Sequence, residues 1–249
     1  MTDYLDRLWY MLPDEEIEEN IELDPVTVAN LFKLPKDMID YLWECIDVAK
    51  KNKINAKKDL AGHISHSYVI DDPQNLIIRN IFNYLNNSGS YIKNEIRRVY
   101  DKIENGRGST NFDLEPYVKK MWVNFQKKGE FQPIHNHNGI FSFVIWMDIP
   151  YHWKDEANLP FSKTNNKFPP GGNFSFLFTD GISKTIKSHD IPMSPNLNGY
   201  CCFFPSHLSH QVYPFYTSDK DRISISGNIN FKMVDVPQFP FFISNPQVH

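Results

Sequence analysis

The sequence is poor in cysteine, with three residues in 249, and two of them, Cys201 and Cys202, are adjacent. That pattern excludes a disulfide framework and zinc-finger spacing, so buried thiols in a reducing compartment are expected. No apolar run reaches the roughly 20 residues that a membrane-spanning helix needs. The opening MTDYLDRLWYMLPDEEIEEN has no basic stretch followed by an apolar core, so no signal peptide is expected and the protein is placed in the cytoplasm. There is no excess of positive charge: the net charge is −4. This argues against stable binding to DNA or RNA, though not against a nucleobase substrate. The glycine-containing loop GRGST at 106–110 lacks both the P-loop lysine and the dinucleotide-binding glycine spacing, so no phosphate cradle is read there.

What the sequence does have is aromatic and proline content. Nineteen phenylalanines and seventeen prolines point to many short strands with firm turns. The pattern changes along the chain. From Pro35, the residues Met38, Ile39, Leu42, Trp43, Ile46 and Val48 recur at helical spacing and end in a lysine-rich turn. A strand is read at 61–70. Asp72-Pro73 opens a second helix striped by Leu76, Ile77, Ile81, Phe82 and Leu85, and a further stripe runs from Tyr91 to Ile103. These stripes need a sheet to cover. From Tyr117 onward, strands are read at 117–126, 132–135, 140–149, 173–178, 184–190, 199–204, 209–215 and 222–231.

About eight short strands with such turns predict a jelly roll, two packed sheets of four. The expected fold is mainly β: a double-stranded β-helix, cupin-like, buttressed by N-terminal helices. The division is a support region at 1–116, a core at 117–233 and a tail at 234–249. The acidic N-terminal arm and the apolar, proline-rich tail are candidate contacts for a homodimer.

The chemistry concentrates in two stretches. In WVNFQKKGEFQPIHNHNGIFS, His135 and His137 are one residue apart, and on a strand they share a face. In FPSHLSHQVYPFYTSDKDRISISGNI, His210 is the candidate third ligand; His207, three residues earlier, would face the other way. An isolated His-x-His in a polar loop is more often idle than metal-bound. Arg222 and Ser224, which also share a strand face, change that weighting. A guanidinium and a hydroxyl together suit a carboxylate. An arginine beside a cation makes sense when an anionic ligand bridges the two. His63 and His66, three apart, are read as surface or packing residues.

The combination of Trp122-Val-Asn124, His135-x-His137, PSHLSH and Arg222-Ile-Ser224-Ile-Ser-x-Asn-Ile resembles the Fe(II)/2-oxoglutarate-dependent oxygenases, in particular those of marine cyanophages and related bacteria. The resemblance covers residues 117–232. It implies a dioxygenase of the hydroxylase type, using Fe(II), 2-oxoglutarate and O2 on an unknown prime substrate. It implies His135, His137 and His210 as iron ligands, and Arg222 with Ser224 at the C5 carboxylate of 2-oxoglutarate. Asn124 would lie beside the C1 carboxylate. One departure is marked: the superfamily has aspartate or glutamate where this chain has His137. Imidazole is a sound ligand there. The other option is that His137-Asn138-Gly139 is a His-x-Gly motif with the carboxylate position vacant, as in iron halogenases, where a halide fills the gap.

Phe143, Trp146, Tyr151, His152 and Trp153 are candidates for the substrate side, and 150–172 is a candidate lid. Two rival functions stay open. One is a metal-binding cupin dioxygenase that does not use 2-oxoglutarate, although the glutamate expected after His-x-His is missing. The other is a non-enzymatic jelly-roll assembly protein.

Overall fold

The computed structural model describes residues 21–22, 29–57, 60, 62–87, 101, 112–162, 171–181 and 183–235. The N-terminal arm, the stripe from Tyr91 to Ile103, the GRGST loop, most of the tail and part of the 150–172 stretch lie outside the described residues.

Eleven strands and three α-helices are described, in the order β1 (Ile21–Glu22), β2 (Asn30–Lys33), α1 (Lys36–Asn52), β3 (His66–Val69), α2 (Leu76–Asn87), β4 (Phe112–Gln126), β5 (Gln132–His135), β6 (Phe141–Asp148), α3 (Trp153–Ala157), β7 (Phe174–Thr179), β8 (Ile186–Ile191), β9 (Tyr200–Pro205), β10 (Ser209–Val212) and β11 (Arg222–Asp235). They form a seven-stranded sheet, β1-β2-β9-β6-β11-β4-β3, and a four-stranded sheet, β5-β10-β7-β8. All the pairings are antiparallel. This is the double-stranded β-helix that the strand pattern predicts, with one correction. The eight core strands divide four and four, but β1, β2 and β3 extend the larger sheet to seven. Those three come from the region read as support: β3 lies within the strand read at 61–70, whereas β1 and β2, of two and four residues, are too short for alternation to decide.

The larger sheet is buried on both faces, and its alternation assigns each residue to one side. Met121, Val123 and Phe125 of β4, Phe143 and Ile145 of β6, Cys201 and Phe203 of β9, and Ile225 of β11 pack against Leu42 and Ile46 of α1 and Ile77 and Ile81 of α2. Each such side chain taken out of water contributes about 1.5–3 kcal/mol. Val48 departs from its predicted place in this stripe; it is exposed on the outer face of α1. The opposite face of the same strands carries Val144, Trp146, Cys202 and Phe204, which meet Phe174, Phe176 and Val212 of the smaller sheet. At the open end of that interior, β4 and β11 present polar side chains instead, and a cavity of about 100 Å³ is left.

α2 is held at its start by Asp72, whose carboxylate accepts the backbone N–H groups of Leu76 and Ile77 and the hydroxyl of Tyr41. This satisfies orphan donors of the first turn and ties α2 to α1. In β11, Gly227 lies where a Cβ would meet the Phe143 ring at 2.6 Å. The aromatic core thus requires glycine at that one position.

Candidate metal centre

His135 ends β5 and His210 lies directly opposite it on β10, as Cα partners in the antiparallel register. His137 lies past the end of β5, so strand pairing does not fix it. Its backbone N–H instead donates to Ser206 O at 2.8 Å. Around it, Ser206 N–H donates to Ile140 O and Ile140 N–H to Ile229 O, and the Ser142 and Ser206 hydroxyls are 2.8 Å apart. A Cβ at Gly139 would come within 2.9 Å of Ser206 Oγ, so this turn packs closely on the β9 end.

These three histidines bring their ligand atoms within 4.8 Å of one another. The ring centroids are 5.0 Å apart for His135 and His137, 4.3 Å for His135 and His210, and 5.0 Å for His137 and His210. Nδ1 of His135 lies 2.7 Å from Pro133 O, and Nδ1 of His210 lies 2.9 Å from Leu208 O. A carbonyl only accepts, so each Nδ1 carries the proton and each Nε2 keeps its lone pair for a ligand. Burial pushes the pKa of all three downward. His137 is taken to about 4, with the neighbouring His135 adding to the effect, and His210 lies well below the usual imidazole range. His135 is lowered by burial, partly offset by the Pro133 carbonyl. The three are neutral at pH 7 and can take a cation without first losing a proton.

Opposite the histidines, the inner faces of β4 and β11 supply Trp122, Asn124, Gln126, Arg222, Ser224 and Ser226 to the cavity wall. The register pairs Arg222 with Gln126, Ser224 with Asn124, and Ser226 with Trp122. Arg222 is 4% exposed. Its Nη1 donates to Tyr151 Oη at 2.6 Å and Gly172 O at 3.0 Å, and its Nη2 to Gln126 Oε1 at 2.5 Å. Tyr151 Oη donates in turn to Gly172 O. Every one of these partners is neutral, and no carboxylate pairs with Arg222 among the described residues. A buried guanidinium held only by neutral acceptors is set up to receive an anion.

The other expected residues fall as follows. Asn124 is buried and accepts the Ser67 hydroxyl at 2.7 Å. Phe143 and Trp146 line the cavity. Tyr151 was expected on the substrate side but holds Arg222 instead. His152 caps the N-terminus of α3, accepting Lys154 N–H, and Trp153 is not among the cavity residues. His63, His66 and His207 are exposed and outside the histidine group. Gln126 and Gly172 carried no signal as partners of Arg222 in the sequence, because they lie 96 and 50 residues away from it. Glu156, fully buried, was also missed. Its carboxylate accepts the backbone N–H groups of Tyr216 and Thr217 and the Thr217 hydroxyl, fixing the turn that leads into β11.

Residues 120–228 match the family described as "Putative 2OG-Fe(II) oxygenase". That segment, somewhat under half of the chain, is similar to the 2OG-Fe(II) oxygenases. It contains all three histidines and Arg222. The chain is also similar to three solved structures. A prolyl-4-hydroxylase from Pseudomonas putida has 15% identity and a TM-score of 0.44, over 82% of this chain and 92% of that one. An oxidoreductase of the 2OG-Fe(II) oxygenase family from Burkholderia pseudomallei has 15% identity and a TM-score of 0.37, over 80% and 85%. A non-heme alpha-ketoglutarate-dependent carbocyclase of nogalamycin biosynthesis has 10% identity and a TM-score of 0.45, over 86% and 85%. No curated protein matches the chain in sequence.

The side chains of the cavity fit the cofactors that the matched family implies. Three neutral imidazoles, two of them with tautomers fixed by backbone carbonyls, suit a ferrous ion. Arg222, with no carboxylate partner among the described residues, suits the distal carboxylate of 2-oxoglutarate. Among the described residues, no helix is long and apolar enough to cross a membrane.

Proposed function

We propose that the protein is an Fe(II)- and 2-oxoglutarate-dependent hydroxylase whose iron is held by His135, His137 and His210. When bound, the iron couples decarboxylation of 2-oxoglutarate, giving succinate and CO2, to delivery of one atom of O2 to a substrate C–H bond. Arg222 anchors the C5 carboxylate, with the Ser224 hydroxyl beside it, and Asn124 faces the C1 carboxylate. Tyr151, Gln126 and Gly172 hold the guanidinium in one orientation, so that binding spends little on ordering it. Leu60, Ile64, Gln132 and Asn136 complete the cavity wall and are the surfaces left for the prime substrate. Apolar walls around the centre limit the entry of water.

The observation that carries this reading is the pairing of two facts in one cavity: three convergent neutral histidines, and a buried arginine without a carboxylate partner among the described residues. A cupin centre has no general use for the arginine, and an assembly module has use for neither. The full histidine group supports a three-histidine set over a vacant position. The division into 1–116, 117–233 and 234–249 goes with this reading, as does a homodimer through the terminal arms. The three cysteines are free and buried, in keeping with a reducing cytoplasm, bacterial or that of an infected host cell.

The test is anaerobic addition of Fe(II) and 2-oxoglutarate to metal-free protein, followed by admission of O2. A visible charge-transfer absorption and then succinate formation are expected, both lost in His210→Ala. Iron binding with neither signal would overturn the reading in favour of the cupin alternative. Failure to bind iron would leave a non-enzymatic jelly roll.

A further inference from the structure

Trp122 is 2% exposed, yet its Nε1–H is a buried donor without an acceptor among the described residues. An indole nitrogen only donates, and a buried one ordinarily finds a partner. Its position says what is missing. Trp122 lines the same cavity as the histidines, and its ring lies 5.5 Å from that of His137. On β4 it is two residues from Asn124 and four from Gln126. Two residues of strand span about 6.6 Å, so Trp122 sits at the histidine end of the polar row and Gln126 at the Arg222 end.

The charge of the site says what kind of acceptor is expected. Arg222 is the sole charged side chain among the cavity residues, and no aspartate or glutamate lines it. The histidine group likewise contains no carboxylate. With a divalent cation seated there, negative charge has to arrive with the ligand.

We infer that Trp122 Nε1–H is a hydrogen-bond donor to the anionic ligand at the histidine centre, taking an oxygen of the C1 carboxylate of the 2-oxo acid. The inference rests on the function proposed above and adds a binding residue to it. The donor has no acceptor among the described residues, and the carboxylate supplies one. The Arg222 end recognises the distal carboxylate, and Trp122 recognises the one beside the metal.

The experiment uses the full chain loaded with Zn(II), a diamagnetic stand-in for the ferrous ion, titrated with 2-oxoglutarate by calorimetry. Trp122→Phe keeps a ring and removes the N–H. It is expected to bind Zn(II) as the wild type does and 2-oxoglutarate about tenfold more weakly. In parallel, ¹⁵N-labelled wild type gives indole N–H resonances from five tryptophans. The Trp122 resonance is assigned by substituting Trp9, Trp43, Trp146 and Trp153, so the readout stands even if Trp122→Phe does not fold. It is expected to move downfield on addition of 2-oxoglutarate. Unchanged 2-oxoglutarate affinity in Trp122→Phe, or an unmoved Trp122 resonance, overturns the inference and leaves the proposed function intact. A wild type that binds Zn(II) but no 2-oxoglutarate overturns the proposed function, and the inference with it.

Discussion

The two ends of the cavity are built in opposite ways. At the histidine end, orientation is local: His135 and His210 each donate to the carbonyl two residues back, Pro133 and Leu208. At the arginine end it is long-range: Arg222 is held from 50, 71 and 96 residues away. The histidine end offers lone pairs and the arginine end offers protons. A ligand carrying carboxylates at both ends of a short chain uses both. The difference teaches that a metal site is readable and robust where the chain orients its own ligands, whereas an anion clamp depends on the whole fold.

The sharpest way to break this comparison is to damage each end alone. His210→Ala removes one of the three proposed ligands and is expected to weaken metal binding by more than about 100-fold, read by metal titration with a competing chelator. Arg222→Met is expected to leave metal affinity intact and to cost about 2–5 kcal/mol of 2-oxoglutarate binding, read by calorimetry. Arg222→Lys is expected to recover little of it, because an ammonium cannot reach Tyr151, Gln126 and Gly172 together. If Arg222→Met also abolished metal binding, the ends would not be separable.

A smaller effect tests the long-range construction. Gly172 has φ +75°, and a Cβ there would meet the Tyr151 ring at 2.6 Å. Gly172→Ala is expected to cost about 1–3 kcal/mol of stability in urea unfolding. It should also weaken 2-oxoglutarate binding, while the histidine end keeps its metal. Loss of metal with unchanged 2-oxoglutarate affinity would reverse that assignment.

A further effect, graded by pH, belongs to the histidine end. A histidine whose folded pKa is depressed favours its neutral form in the native state. Above the ordinary value of 6.5 it costs nothing. As pH falls from 6.5 towards the His137 value of about 4, the unfolded chain takes up protons that the native state refuses, and stability declines. Metal-free protein should therefore lose Tm across that window, and His137→Asn should flatten the slope. An equal slope in the variant would show that His137 is not the group responsible.

The same contrast explains what could be read from the sequence. His-x-His, PSHLSH and Arg222-Ile-Ser224 announce themselves because their members are near neighbours and strand alternation assigns their faces. The eight core strands were legible for the same reason, as were the stripes of α1 and α2. The collar around Arg222 was not. Gln126, Tyr151 and Gly172 are unremarkable residues until the fold brings them together, and Glu156 looks like a surface acid of a short helix until Tyr216 and Thr217 enclose it. β2 and β3 were hard to place because strands of four residues join a sheet whose other members lie far along the chain. His137 was placed on the right face for an incomplete reason. Alternation predicts it, but the strand ends before it and Ser206 holds it there.

The central claim is that one ligand bridges the two ends, and comparing two ligands tests it most directly. The affinities of Zn(II)-loaded wild type and Arg222→Met are measured for 2-oxoglutarate and for 2-oxobutyrate, which keeps the 2-oxo acid but lacks the distal carboxylate. Wild type is expected to prefer 2-oxoglutarate strongly, and Arg222→Met to bind both with the same weak affinity. Undiminished preference for 2-oxoglutarate in Arg222→Met would show that the distal carboxylate is recognised elsewhere and that Arg222 is not its anchor.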